Sequence, residues 1–340
     1  MPSKYWKYEN IKSVHLEVST LCNSICPWCP RYENFSPNLN PNIVEGSYTL
    51  QRFTSDFPIN FIKQIRHDMI LARLIPKNSS SFDNVKVRVS SCIKFTDKYN
   101  ISYLFGVWTT TVAGYVYLLG NIDRYSYWEW YGLPNGILRI LLSTLFFYSF
   151  SSFGFWRTSN KRLKQSDLIY NSFFYFACFI LGSLSFNISD FNYFGYLPYL
   201  AFIISGVLIY EFKVLYNLES NDWSVDSWNK KNTYMIASFI AITFATFFGY
   251  ILDDPIISTV GIVALFFPAV VLIWPNDVRH IKRLQFYPLF TFAMFACVRA
   301  PWFFIILALL FFYLRSINYF KYGIIYPSFG VHLEEINSDV

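Results

Sequence analysis

Residues 253–283 read DDPIISTVGIVALFFPAVVLIWPNDVRHIKR. An apolar run, 256–274, stands between the acidic pair Asp253 and Asp254 and the basic group Arg279, Lys282 and Arg283. A membrane helix needs about 20 mostly apolar residues, because the hydrocarbon core is about 30 Å thick. The run has that length. Backbone groups in lipid must be satisfied internally, so a helix is the expected form. The run is too long and too uniformly apolar for a barrel strand, which alternates. Its flanks also orient it, because cytoplasmic loops concentrate Lys and Arg.

Working outward, seven further stretches qualify, giving eight near 101–120, 136–156, 169–187, 194–212, 233–251, 256–274, 285–299 and 301–318. The last two are separated by little more than Arg299 to Pro301, so they are either a tight hairpin or one long kinked helix. One set of loops is basic: Lys86, Arg88, Lys94 and Lys98; Arg157, Lys161, Arg162 and Lys164; Lys213, Lys230 and Lys231; Arg279, Lys282 and Arg283; Arg315 and Lys321. The intervening loops hold Arg124, then no basic residue, then Asp253 and Asp254, then Arg299. This alternation predicts an even number of spans, with the N and C termini cytoplasmic, in an integral protein of an inner or plasma membrane. Tyr127, Trp128, Trp130, Tyr131, Trp156 and Trp274 near the run ends fit interfacial aromatic belts. The lipid bilayer is thus the expected partner.

The composition agrees. The chain of 340 residues is 54% hydrophobic and 15% charged, where a soluble domain carries about 25% charge. The net charge of +6 is accounted for by the basic loops, so no nucleic-acid surface is implied. Met1 to Asn10 has no apolar core and is not a secretory signal peptide. Residues 1–66 are mixed and polar. Residues 67–100 read as a cytoplasmic linker with at most one strand, around Val85, Val87 and Val89. Residues 101–320 form the membrane domain, and 321–340 a cytoplasmic tail whose end, Val331 to Val340, reads as frayed. The fold class is all-α membrane, with about eight transmembrane helices preceded by a small α/β fragment.

That fragment carries the sharpest chemical signal. Cys22, Cys26 and Cys29 form CxxxCxxC in the segment CNSICPWC. Thiolates at this spacing can wrap one face of an iron–sulfur cluster, and three ligands on a four-iron cube leave one iron open. Zinc is a weaker fit, since three thiolates without a near fourth ligand make a poor closed site; His15 could serve as a fourth ligand, though it sits on the expected strand. A disulfide is disfavoured by the cytoplasmic setting. The segment could also be a vestigial or fused front piece on an unrelated membrane protein. Cys178 and Cys297 fall within membrane runs and read as small packing residues.

His15-Leu-Glu-Val-Ser-Thr-Leu-Cys22 followed by the triplet resembles the start of a radical S-adenosylmethionine enzyme, in which a first strand enters a loop carrying CxxxCxxC. Val14, Leu16 and Val18 alternate as such a strand would. Trp28 occupies the place, just before the third cysteine, where that family is usually aromatic. The resemblance implies a [4Fe-4S] cluster on Cys22, Cys26 and Cys29, with Trp28 beside the cofactor. It also implies S-adenosylmethionine bound through its amino and carboxylate groups at the open iron, and reductive cleavage to a 5′-deoxyadenosyl radical. It covers about residues 10–66. The glycine-rich segment and later strands of that family's barrel have no counterpart before the first span near Ile101, so the fragment is a truncated barrel front.

The membrane runs contain almost no charge at their centres; Arg139, Glu211 and Arg299 sit near span ends. Intramembrane charges mark proton and ion paths, so a proton-driven pump is not expected. Ser and Thr, such as Thr109 to Thr111, Ser143, Ser205 and Thr246, read as ties between helices. Two cytoplasmic loops are richer: Asn221, Asp222 and Asp226 before Lys230 and Lys231, and Asn276 and Asp277 before Arg279, His280 and Lys282. They are weakly similar to the Asp-rich loops of UbiA-type membrane prenyltransferases, which implies Mg²⁺ and a diphosphate at Asp222, Asp226 and Asp277. The departures are a basic loop, Arg157 to Asp167, where that family is Asp-rich, and eight expected spans rather than nine. A transport-type protein is the remaining alternative.

Overall fold

The computed structural model describes residues 70–122, 130, 132–153, 164–185, 193–212, 214–217, 222–226, 228–323 and 331–333. The chain divides into two units, Met1–Arg73 and Leu74–Val340. The described elements belong almost entirely to the second. After a single-turn helix, α1 (Ile70–Leu74), comes α2 (Ser80–Lys98). Then follow α3 (Leu104–Ile122), α4 (Leu133–Ser152), α5 (Gln165–Ser183) and α6 (Tyr196–Tyr210), the last entered through a 3-10 turn, Tyr193–Gly195. A hairpin of β1 (Val214–Asn217) and β2 (Asp222–Val225) leads to α7 (Lys231–Ile251), α8 (Pro255–Ile273), α9 (Val278–Arg299) and α10 (Pro301–Tyr322). A third strand, β3, covers Val331–Leu333.

The eight apolar runs are thus α3 to α10. Among the described residues, five segments are long and apolar enough by composition to cross a bilayer: Leu133–Ser152, Tyr193–Tyr210, Lys231–Ile251, Pro255–Ile273 and Pro301–Tyr322. Their surfaces agree with lipid rather than water. Leu145, Phe266 and Leu309 are 64%, 68% and 67% exposed, and α4, α7, α8 and α10 each present rows of such side chains outward. Soluble monomers rarely expose apolar area on this scale. The chain is a helical membrane protein.

Local sequence sets the helix ends. The Asp254 carboxylate accepts hydrogen bonds from the Ile256 and Ile257 amides, and Pro255 opens α8, a position where its missing N–H costs nothing. Asp277 caps α9 in the same way through the Arg279 and His280 amides. Gly132, at φ +81°, leads into α4, and Gly323, at φ +65°, ends α10; glycine reaches this left-handed region without steric cost.

Side-chain pairs fix the helix directions. Near the start of α6, the Tyr199 hydroxyl donates to Asp254 at the start of α8, 2.8 Å away. At the far end, Tyr210 closing α6 meets Tyr103 opening α3 at 3.2 Å. Lys231, opening α7, meets Asn276, after α8, at 3.0 Å. Consecutive long helices therefore run in opposite directions. The choice at Ala300 is resolved the same way. Phe286 and Phe311 have ring centroids 6.2 Å apart, whereas a continuous helix would separate them by about 37 Å. Residues 285–318 are a hairpin, with α10 opened by Pro301.

The interior has two apolar clusters. One gathers Phe105, Val112, Phe147, Phe174, Trp302 and Phe303; the other gathers Tyr199, Phe202, Ile242, Ile257, Val260 and Phe292. Helix α9 joins them, giving Ala293, Ala296 and Cys297 to the first and Ile281, Leu284 and Phe292 to the second. Cys178 and Cys297 are buried in this packing, as their positions predict, while Cys92 is exposed.

Two expectations are corrected. Residues around Val85, Val87 and Val89 are helical, not a strand: they lie within α2, which is capped by the Ser79 side chain accepting from the Phe82 amide. The period-two valines mislead, because the stripe that packs inward is Phe82, Val85, Val89, Ile93 and Thr96, while Val87 is 73% exposed. Within the helical membrane domain, the loop between α6 and α7 also holds a short hairpin, β1 paired antiparallel with β2. The tail segment Val331–Leu333 is not frayed either: it pairs in parallel with β1, Val214 opposite Val331.

Candidate functional site

The sequence-predicted cluster ligands Cys22, Cys26 and Cys29, and Trp28 beside them, lie outside the described residues. The second predicted site, Asp222, Asp226 and Asp277, falls largely within them, at the end of the bundle where the basic loops gather.

That end is built around the first turns of α9. Lys282 places its ammonium 3.1 Å from the centroid of the Trp223 ring on β2, a close cation–π contact. One turn on, the Gln285 amide donates to the Phe212 carbonyl at the end of α6. The β hairpin is therefore seated on α9 by side chains of α9 itself. Burial pushes the Lys282 amine down to about 8; the ring beneath it offsets part of the cost of keeping the charge. Lys231, buried at the start of α7, has its ammonium held by the Asn276 side chain. The same end is closed by α2 and α10: Thr96 and Tyr313 hydroxyls lie 2.7 Å apart, and Lys321 donates to both Asp97 carboxylate oxygens at 2.8 Å.

The Asp277 carboxylate is turned onto its own helix, and the His280 amide, with that of Arg279, holds it below its ordinary range. Asp226 follows β2 and is half-buried. Of Asp222 the structure describes the backbone, paired with Asn217. Among the described residues no group of three or more His, Cys, Asp or Glu side chains could hold a metal ion. A cavity of about 210 Å³, lined by Pro255, Ile256, Thr259, Phe295 and Val298, lies at the opposite end of α8 and α9 from Asp277. The His280 ring sits 5.5 Å from that of Trp274.

Among the described residues, Glu211, Lys231 and Arg299 are the buried charged side chains, and each stands at a helix end. The sequence did not foretell the role of Arg139. Its guanidinium donates to the carbonyls of Leu181 at 3.1 Å, Gly182 at 2.6 Å and Leu184 at 2.8 Å, closing the C-terminus of α5, where helices leave carbonyls without partners. A lone arginine one turn into an apolar run was the available signal. Thr96, Lys282 and Trp223 gave none, because their partners are remote in sequence.

No protein-family model, curated protein or solved structure matches the chain.

Proposed function

We propose that the chain is an eight-span integral membrane protein, with both termini cytoplasmic, that carries an iron–sulfur cluster on its N-terminal segment. Three observations support the membrane part. Helices α3 to α10 coincide with the eight apolar runs. Side-chain pairs join alternate helix ends. The basic residues Lys98, Lys231, Arg279, Lys282 and Lys321 all belong to one end, which the positive-inside rule assigns to the cytoplasm.

The observation that carries the chemical part is CxxxCxxC at Cys22, Cys26 and Cys29. The donor set fits: three thiolates from one short loop match three irons of a [4Fe-4S] cube, and deprotonation is supplied by the metal itself. Trp28, next to Cys29, shields that loop in this reading. When bound, the cluster supplies one-electron redox chemistry. The resemblance to radical S-adenosylmethionine enzymes sets the cluster type. The missing glycine-rich segment and strands remove most of the cofactor's pocket, so the reading is cluster binding without S-adenosylmethionine cleavage.

The test is anaerobic reconstitution of the purified chain with iron and sulfide, followed by absorbance and electron paramagnetic resonance. The expected result is about four irons per chain in the wild type, none after Cys22, Cys26 and Cys29 become Ala, and no spectral response to S-adenosylmethionine. Equal iron in both proteins overturns the assignment.

Prenyl transfer by Asp222, Asp226 and Asp277 is the second reading. The seating of β2 on α9 favours it, because both aspartate loops then share one end. The capping role of Asp277 and the placement of the described cavity at the other end weigh against it.

A further inference from the structure

Helix α2 is neither a spanning helix nor a free linker. Its inner stripe docks on the last turns of α10. Phe82 lies with ring centroids 5.3 Å from Tyr319 and 5.5 Å from Phe320, and Thr96 meets Tyr313. From Phe82 to Thr96 the chain advances about 21 Å along α2, while Phe320 to Tyr313 spans only about 10 Å along α10. The two helices therefore cross steeply, and α2 runs inclined to the spanning helices, packed against α10. It is joined to α3 by Tyr99, Asn100 and one 3-10 turn, which keeps it at the level where the apolar belt begins.

Its other face is unusual for a water-facing helix. Lys86, Arg88, Lys94 and Lys98 are all exposed. Among them stand Val87, 73% exposed, and Phe95, 53% exposed. Of the two acidic residues on the helix, Asp97 is engaged by Lys321, leaving Asp83 near the start. A basic face interleaved with apolar side chains, on a helix packed against the last turns of α10 and inclined to it, matches the headgroup–acyl boundary of a bilayer. Anionic lipids of that leaflet attract Lys and Arg strongly within a Debye length.

We propose that the outward face of α2 is a lipid-binding surface. Lys86, Arg88, Lys94 and Lys98 engage the phosphates of anionic phospholipids, and Val87 and Phe95 enter the acyl boundary between them. The surface holds α2 in the membrane plane, and its occupant is the bilayer in which the protein resides.

The test uses the full chain in nanodiscs of phosphatidylcholine alone or with one-quarter phosphatidylglycerol. Amide hydrogen exchange is read over Ser80–Lys98, with α3 to α10 as the folding control. In the wild type, exchange over α2 slows severalfold when phosphatidylglycerol is present. Inorganic phosphate added to the phosphatidylcholine discs has no such effect. In the variant with Lys86→Gln, Arg88→Gln, Lys94→Gln and Lys98→Gln, the two lipids give the same exchange. Wild-type exchange that is equal in the two lipids overturns the proposal, as does a full phosphatidylglycerol effect in the variant or slowing by free phosphate. The wild-type comparison stands by itself if the variant does not fold.

Discussion

Gly114 of α3 and Gly182 of α5 lie at one crossing, where neither position has room for a β-carbon. A β-carbon on Gly114 would overlap the carbonyl of Phe179, and one on Gly182 would overlap the carbonyl of Thr111. The contact is reciprocal and brings two backbones together. Lipid tails are as apolar as leucine, so membrane helices associate through close packing and hydrogen bonds rather than hydrophobic burial. Gly106 beside Tyr175 continues the same seam, in the order expected if α3 and α5 run parallel with α4 returning between them.

Gly114→Ala and Gly182→Ala should therefore destabilise the bundle by about 1–3 kcal/mol each, as overpacking does. Gly206 of α6 is the control, since nothing lies within 4 Å of its would-be β-carbon. Gly206→Ala should be neutral or stabilising by up to about 1 kcal/mol, from helix propensity. Unfolding in detergent micelles, followed by circular dichroism, measures all three.

The α6–α7 crossing uses hydrogen bonds instead. The Ser205 and Ser238 hydroxyls are 2.7 Å apart, and Ser205 also donates to the Ser238 carbonyl at 3.1 Å. A double-mutant cycle with Ser205→Ala and Ser238→Ala should give a coupling of about 0.6–1.7 kcal/mol, the range for such pairs in membranes. Strictly additive losses would show that the pair contributes nothing.

Arg139 ties α4 to the end of α5 through three carbonyls. Arg139→Met should cost about 1.5–3 kcal/mol, the worth of hydrogen bonds to a charged group. Arg139→Lys should recover less than half, because an ammonium lacks the planar fork that reaches several acceptors at once. The melting temperatures of the three proteins in one detergent decide this.

Lys282 gives a pH dependence of defined sign. Its amine titrates near 8 in the folded protein against 10.5 when free, so between these values the unfolded chain binds the extra proton. Stability must then rise with pH across that window. The cost of burying the charge is fully present below about 8 and is relieved towards 10.5. Wild-type melting temperature should climb from pH 8 to pH 10 relative to Lys282→Met; parallel curves would show that burial leaves the amine unperturbed.

The helices were legible because apolar length is a local property; the expected run ends lie within about four residues of the observed ones, except that α9 begins at Val278, seven residues before the expected start at 285. The turn at Ala300 was not, since a proline both opens a helix and kinks one, and only the Phe286–Phe311 contact separates the two. Helix α2 was misread because Val85, Val87 and Val89 alternate, while the stripe that decides its fold depends on docking to α10. The hairpin and β3 escaped notice because β1 is four residues long and its parallel partner lies more than a hundred residues on. At the site, the cysteine spacing was legible as chemistry. The Lys282–Trp223 pair was not, because neither residue stands in a motif.

The central claim is that eight helices cross the bilayer in alternation with the basic end inside. Single cysteines at Gly132, Asp253, Lys98, Lys231 and Lys282, in a chain whose native cysteines are replaced by Ser, test it most directly. Intact cells would be treated with a membrane-impermeant maleimide. The account predicts labelling at positions 132 and 253, and none at 98, 231 and 282 until the membrane is opened. Labelling of position 231 or 282 from outside, or equal labelling of both sets, would contradict it.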